Sequence, residues 1–389
     1  MIRNQRVWAL GLSISAVLLV CNASRIAHSE SISITGLEHI DAYASQALRT
    51  HVIRSADILV LRKGATVYHK QFGAAQADSI YDLASLSKAV ATTTAISILS
   101  DRGLLKTTDP VVNYVPDFEF CDTRVAGTGS VTTLDCALKK TITIEQLMRH
   151  RSGLRDRVSV DDVRGTETNA DGFKLMVRTP VFTRPGSVFK YADINFIVLM
   201  NVAEKVLNGS MAEFLAKEAW TPLGMASTGY LPGEDRLARV LPTREDEDAG
   251  TVNDPMADAL GGVSGNAGLF STADDLSKFA LMLLGKGQLG ETRVLSEDAV
   301  LAFGQTKGTE RGLGWDVCSA YATAVRGDLG GGFGHTGYTG TSMWLVPSKE
   351  LAVIILTDRT VMGETSATAS GIAHLRESVA NLVAQAYPR

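Results

Sequence analysis

The spacing of apolar positions divides the chain into a strand-bearing start, a helical middle and a strand-bearing end. Over 36–50, Leu37, Ile40, Ala44, Ala47 and Leu48 recur at helical spacing and predict an amphipathic helix. Asp57-Ile58-Leu59-Val60-Leu61 and Thr66-Val67-Tyr68-His69-Lys70-Gln71-Phe72 are strand-like, and Lys63-Gly64 between them predicts a tight turn and a hairpin. A run of small and apolar residues over 89–99 predicts a helix that closes at Asp101-Arg102-Gly103, with the glycine just past its end. Helical patterns dominate the middle. Thr143 is the predicted N-cap of 144–150, with Gly153 ending that helix; 193–207, 211–220 and 272–284 follow. Strand character returns at 341–346 and 351–356, separated by Pro347-Ser348-Lys349-Glu350, and 368–386 closes the chain as an amphipathic helix. The economical arrangement is an α+β fold. One antiparallel sheet is built from both chain ends (about 30–110 and 290–389), flanked by the N- and C-terminal helices, with a mainly helical insertion (about 111–289) and a cleft between the parts.

The first 29 residues stand apart. Arg3 and Arg6 precede an apolar run over 7–20 that is short for a bilayer span, and Ala27-His28-Ser29 has the small-x-small form of a cleavage site. This predicts a signal peptide and a periplasmic or secreted protein, with membrane attachment only if the segment is retained. Cys121 and Cys136 bracket a polar, glycine-rich segment and are expected to close a disulfide loop in an oxidising compartment. Cys318 is left over and is expected to be a buried thiol. The 389 residues carry a net charge of −4 with no basic run, which argues against a nucleic-acid partner. No cysteine has metal-ligand spacing, and no phosphate loop or dinucleotide fingerprint occurs, so neither metal nor cofactor is expected. The absence of a Gly-x-Ser-x-Gly elbow argues against an α/β-hydrolase.

Candidate chemistry starts at Ser85-Leu86-Ser87-Lys88, at the predicted start of the 89–99 helix. Residues three apart share a helix face, so the hydroxyl and amine can meet. A serine needs an adjacent base to become a nucleophile, and lysine can serve if burial or positive charge lowers its pKa. About one Ser-x-x-Lys match is expected by chance in a chain of this length. A second one, Ser187-Val188-Phe189-Lys190, follows Arg184-Pro185-Gly186 and reads as an accidental match in a turn. Tyr191-Ala192-Asp193 offers a phenol that can carry a proton if cations lower its pKa. Gly334-His335-Thr336-Gly337 opens the C-terminal strands, where glycine permits close substrate approach and histidine adds an electrostatic stabiliser or relay.

In this order, Ser85-x-x-Lys88, Tyr191-x-Asp193 and His335-Thr336-Gly337 resemble the three motifs of the β-lactamase-related serine hydrolases: class C β-lactamases, penicillin-binding DD-peptidases and related esterases. His150-Arg151-Ser152-Gly153-Leu154, the glycine-rich segment 261–272 and Gly337-Tyr338-Thr339-Gly340-Thr341 are similar to family segments as well. The resemblance spans about 40–389. It implies that Ser85 is the acylated nucleophile and that Lys88 takes or relays its proton. Tyr191 would share base duty and protonate the leaving group, with Asp193 orienting Lys88 or the substrate. His335 would stand where many relatives have lysine, and the backbone N–H groups of Ser85 and Tyr338 would form the oxyanion hole. Thr336 and Gly337 would line the substrate site. The departures matter: a histidine at the third motif and an anionic Asp193 both disfavour an acidic antibiotic. The expected function is therefore a secreted serine hydrolase acting through an acyl-enzyme on an ester, amide or peptide, including a peptidoglycan-derived one. The alternatives are a DD-carboxypeptidase or β-lactamase, and a non-catalytic cell-wall-peptide binding module. His150 is expected to hydrogen-bond across a helix end, Arg151 to lie at the surface, and Asn266 to cap a turn or line the cleft. Trp315 and Trp344 are expected in the core; His39, His51, His69 and His374 at the surface or as caps.

Overall fold

The computed structural model describes residues 36–121, 133–245 and 247–388. The expected signal segment and most of the segment between the two bracketing cysteines lie outside the described residues. Ten strands occur among them: β1 (Ser55–Arg62), β2 (Ala65–Gly73), β3 (Tyr81–Asp82), β4 (Gly229–Tyr230), β5 (Leu269–Ser271), β6 (Gln288–Leu289), β7 (Thr292–Arg293), β8 (Phe333–Thr336), β9 (Ser342–Val346) and β10 (Leu351–Thr357). The main sheet is antiparallel, in the order β2-β1-β10-β9-β8. It joins the N-terminal hairpin to the C-terminal strands through the β1–β10 ladder, in which Leu59 faces Ile354.

Both central strands are buried on both faces, which explains their continuous apolar runs. In β1, Ile58 and Val60 pack beneath the terminal helices, as do Val353 and Ile355 of β10. Leu59, Leu61, Ile354 and Leu356 point the other way, into the larger core shared with the helical middle. The helix Ile40–Arg49 contributes Ile40 and Ala44 to the first cluster; Ser366–Ala386 contributes Leu375, Val379 and Val383. Trp315 and Trp344 are fully buried. The helices Asp193–Leu207 and Ala273–Leu284 occupy their predicted places, the second capped by Thr272. The middle also holds the small sheet β3-β5-β4 and the β6–β7 hairpin, strands too short to leave a periodic signal.

Some expectations need correction. The helix capped by Thr143 ends at Met148, short of Gly153, because His150 turns into the left-handed region at φ +54°. Gly153 instead serves a close approach: a Cβ there would lie 2.0 Å from the Thr183 carbonyl oxygen. Cys318 is exposed, on an irregular segment, and not buried. Arg151 is half-buried and donates to the Gly186 carbonyl, and His69 pairs with the buried Asp57 at 2.9 Å. Cys121 and Cys136 are joined in a disulfide, with their Cα atoms 5.7 Å apart.

Candidate active site

The nucleophile turn is built by a strained backbone. After β3, Ala84 adopts φ +46°, a conformation disfavoured for any residue with a Cβ, and the bend presents Ser85 ahead of the helix. Asp82 fixes the bend by accepting N–H bonds from Ala84 (2.7 Å) and Asn253 (2.7 Å). Burial pushes its carboxyl up to about 6. The hydroxyls of Thr339 and Thr341 donate to the carbonyls of Asp82 and Leu83, which ties the turn to the segment after β8. Lys88 opens a wide π-helical turn, Lys88–Thr93, that runs on into the helix Thr94–Asp101. Its ammonium donates to Ser85 Oγ at 2.8 Å and to the Asn266 carbonyl at 2.8 Å.

The same ammonium lies 2.8 Å from Asp193 Oδ1, and both residues are almost wholly buried. Asp193 is the first residue of its helix, and its Oδ2 meets Arg157 at 3.3 Å. Burial pulls Lys88 down, but the Asp193 carboxylate, with help from Tyr191, more than offsets it, and the lysine ends above its ordinary value. The sequence expectation of a lowered lysine is therefore corrected: in the free site Lys88 is a cation that donates to Ser85. Asp254, raised by burial and by Asp193, caps the helix Pro255–Ala259 and accepts from the Asn266 amide at 3.1 Å. Asn266 thus holds Lys88 through its backbone and Asp254 through its side chain.

Tyr191 is sandwiched. Its ring stacks on His150 with centroids 4.3 Å apart and tilts against Tyr321 (5.3 Å) and His335 (6.2 Å). Lys88 Nζ lies 5.2 Å and Arg311 Cζ 5.7 Å from the ring centroid. Burial raises the phenol, Lys88 and Arg311 pull it back and Asp193 pushes it up again, so Tyr191 ends above its ordinary value and the expectation of a phenol lowered by cations is corrected. His150 accepts the Ala192 N–H at Nδ1 (3.1 Å), and Ser152 anchors Asn195 at 2.6 Å, so the 150–154 segment sets the backbone that carries Tyr191. Burial and Arg311 hold His150 well below its usual range.

The third motif lies on β8, an edge strand. His335 Nδ1 contacts the Thr336 carbonyl at 2.8 Å; since that oxygen only accepts, Nδ1 carries the hydrogen and Nε2 offers a lone pair. Nε2 is buried without a partner. Burial, then Arg311 and Lys88, hold the imidazole well below its usual range, so His335 is neutral at pH 7. Thr336 pairs with Ser342 of β9. Gly337 cannot be larger: a Cβ would sit 2.3 Å from the Leu83 carbonyl oxygen. Two arginines fix the carbonyls that follow. Arg376 donates to Gly337 (2.9 Å) and Thr341 (2.8 Å), and Arg359 donates to Tyr338 at 2.6 Å. Among the described residues the Ser85 and Tyr338 N–H groups have no backbone acceptor, which leaves both free for an oxyanion.

Ser85 sits between two cavities, of about 250 Å³ and 440 Å³, and Tyr191, Tyr321 and Tyr338 line both. His335, Thr336 and Gly337 line the first; Asp193 lines the second. The residues singled out from the three motifs therefore converge on one hydroxyl, whereas Cys121 and Cys136 line neither cavity. Sequence reasoning missed Arg157, Asp254, Arg311, Tyr321, Arg359 and Arg376, since isolated charged or aromatic residues, in loops or on a helix, carry no periodic or spacing signal of their role. Ser187 and Lys190 are exposed in a turn, in keeping with an accidental match.

A mixed helix and antiparallel-sheet fold with a cleft serine hydrogen-bonded to a buried lysine beside a tyrosine defines a β-lactamase/transpeptidase-like protein. The chain belongs to the Beta-lactamase family, whose model matches residues 40–375. An Escherichia coli (strain K12) protein named "Putative D-alanyl-D-alanine carboxypeptidase" is 24% identical over 396 residues, covering 90% of this chain and 88% of that protein. Among solved structures, EstCE1, a hydrolase with promiscuous acyltransferase activity, matches with a TM-score of 0.69 at 20% identity, covering 89% of this chain and all (100%) of that one. A class C β-lactamase from Rhodobacter sphaeroides matches at 0.67 and 20% identity, covering 90% and 99%. At these identities the structural likenesses speak for the fold alone.

Proposed function

We propose that this chain is a serine hydrolase that acts on an ester, amide or peptide through an acyl-enzyme. The observation that carries the reading is the 2.8 Å hydrogen bond from Lys88 to Ser85 Oγ beside the half-buried Tyr191. Ser85 Oγ attacks the substrate carbonyl carbon. Tyr191 works from its phenolate form, which the Lys88 cation favours; as the C–O bond forms, the hydroxyl proton passes to that phenolate, while Lys88 holds the oxygen. The oxyanion takes the Ser85 and Tyr338 N–H groups. Collapse breaks the bond to the leaving group, which receives the proton from Tyr191. Water then attacks the acyl carbon and gives a proton to the Tyr191 phenolate; the C–Oγ bond breaks, Ser85 Oγ takes that proton from Tyr191, and the acid leaves.

A second reading is a carboxypeptidase acting on peptides that end in a D-amino acid. Two features favour it: the name borne by the E. coli relative, and Arg359 and Arg376, which line the cavity at Ser85 and have no carboxylate partner among the described residues. Efficient β-lactam hydrolysis is disfavoured by the neutral His335 and the anionic Asp193. The pattern of residues 1–29 and the Cys121–Cys136 bridge support action outside the cytoplasm.

Labelling with a fluorophosphonate, followed by peptide mapping, tests the nucleophile. The label is expected on Ser85, and Ser85→Ala is expected to lower turnover of a p-nitrophenyl ester by several orders of magnitude. Label on another serine, or unchanged turnover, refutes the assignment. No label together with measurable peptide binding favours a binding module. Release of D-alanine from a peptide ending in D-Ala-D-Ala favours the carboxypeptidase, and rapid nitrocefin hydrolysis a lactamase.

A further inference from the structure

Arg311 belongs to none of the three motifs, yet it is 1% exposed and lines the same cavity as Ser85 and Tyr191. Its segment is pinned to the outer edge of the sheet, because Asp316 and Gly334 of β8 exchange both backbone hydrogen bonds (2.8 and 2.9 Å). One terminal nitrogen, Nη1, meets Asp316 Oδ2 at 3.1 Å. That carboxylate is shared, since it also accepts the Ser319 N–H and hydroxyl. Arg311 Nε and Nη2 are buried with no hydrogen-bond partner. A buried guanidinium with two unmet donors is a costly arrangement that packing alone does not call for.

The charges facing Tyr191 single Arg311 out. From the nucleophile helix comes Lys88, which is neutralised by Asp193 at 2.8 Å, itself two residues from Tyr191. His150 stacks on the ring, His335 approaches from β8, and Tyr321 comes from the loop that follows Arg311. The two imidazoles are held neutral by burial. Arg311, 5.7 Å from the ring centroid, is thus a second cation beside the paired Lys88, and it is only partly offset by its carboxylate.

We propose that Arg311 is the positioning residue that supplies Tyr191 with the positive field that a neutral His335 withholds. It raises the share of Tyr191 present as the phenolate, which then takes the proton from Ser85 Oγ as the Oγ–carbon bond forms. The charge at the third motif has in effect moved from the β8 side chain to the neighbouring loop. This rests on the reading of Tyr191 as the proton carrier.

The test is the pH dependence of kcat/KM for an uncharged p-nitrophenyl ester. Arg311→Met is expected to move the acid limb to higher pH by about one to two units, with a roughly ten- to hundredfold loss near neutrality that alkaline pH recovers. Arg311→Lys restores most of the wild-type profile. Asp316→Asn, which leaves the guanidinium unneutralised, moves the limb the other way. Circular dichroism and melting curves establish folding, and if Arg311→Met does not fold, Arg311→Lys and Asp316→Asn carry the comparison. A limb that stays in place while the rate falls equally at every pH overturns the proposal in favour of a packing role. A change confined to KM for anionic substrates overturns it in favour of substrate binding. Fluorophosphonate labelling separates the two levels. Label on Ser85 with an unmoved limb removes only the role of Arg311; a wild type that fails to label Ser85 removes the underlying mechanism.

Discussion

Replacing Asp193 with asparagine keeps the shape of the side chain and deletes the charge that holds Lys88 protonated. The ion pair is 2.8 Å long, with side-chain exposures of 0% and 6%. At an effective dielectric near 20, unit charges at that separation attract by roughly 6 kcal/mol before desolvation is counted. Removing one partner of a buried pair costs about 3–5 kcal/mol, and the lower end applies here because the stranded lysine can shed its proton. With an unfolding entropy of about 2.1 cal/mol/K per residue over roughly 350 residues, 3 kcal/mol corresponds to a fall of about 4 °C in Tm. The pH dependence supplies the sharper test. In the wild type Lys88 lies above its ordinary value, so its stabilising contribution is in place below the unfolded lysine range and is lost only as pH rises through the folded value. In the variant, burial is unopposed and the lysine falls below its ordinary value. The fold then favours the neutral amine, and stability climbs with pH towards the unfolded lysine range near ~10.4. Calorimetry from about pH 6 to 9.5 should therefore show the Tm gap between variant and wild type closing as pH rises. With one anion gone, nitrocefin should gain on a neutral ester by roughly tenfold in kcat/KM. A gap that does not change with pH, or unchanged selectivity, would refute the account of Lys88.

Three further outcomes follow from the geometry. Gly337→Ala drives a methyl group into the Leu83 carbonyl, so it should displace the Tyr338 N–H and lower kcat by about 10²–10³ with little change in KM, read by steady-state kinetics. The Cys121–Cys136 bridge closes a 15-residue separation, and a Cys121→Ser/Cys136→Ser double variant should lose about 3 kcal/mol in denaturant unfolding under oxidising conditions and nothing beyond the wild type under reducing ones. Lys139 is buried against the carbonyls of Phe120 and Val177, and burial, then Arg178, pull it down to about 7. Its folded value lies below the unfolded one, so stability should rise between about pH 7 and 10; Lys139→Met should remove that rise in urea titrations.

What could be read from the chain was what is local or periodic. The i, i+3 spacing of Ser85 and Lys88 is a property of one helical turn. The doubly apolar runs of β1 and β10 reflect burial on both faces, and Thr143 announces its helix by a capping box with Gln146. What escaped depends on distance across the fold. Whether Lys88 rises or falls turns on the 2.8 Å to Asp193, a separation no spacing along the chain encodes. A glycine that follows a helical pattern reads as a helix end, and no sequence signal separates that from a glycine that makes room for the Thr183 carbonyl. Cys318 was expected inside on composition grounds, but the irregular segment that carries it leaves it at the surface.

The arginines missed from sequence also explain how a site assembled from distant segments is held in register. The Tyr338 N–H can point at an oxyanion only if the peptides around it are fixed. The strand ladder stops short of it, since β8 ends at Thr336 and β9 begins at Ser342, and the turn closes with the Gly337 N–H on the Thr341 carbonyl (2.7 Å) and the Arg359 N–H on the Thr339 carbonyl (2.9 Å). Arg376, from the closing helix, grips the carbonyls of Gly337 and Thr341, and Arg359, from the segment after β10, grips that of Tyr338. Thr339 and Thr341 then tie the same loop to the backbone of the nucleophile turn. The two N–H groups of the oxyanion site are thus referenced to each other through threonine hydroxyls and to the sheet through guanidinium groups. The apolar face of the last helix, which buries Leu375, Val379 and Val383, therefore does more than cover the sheet. It sets the position from which Arg376 reaches the active site, so a cavity opened under that helix should weaken catalysis before it unfolds the protein.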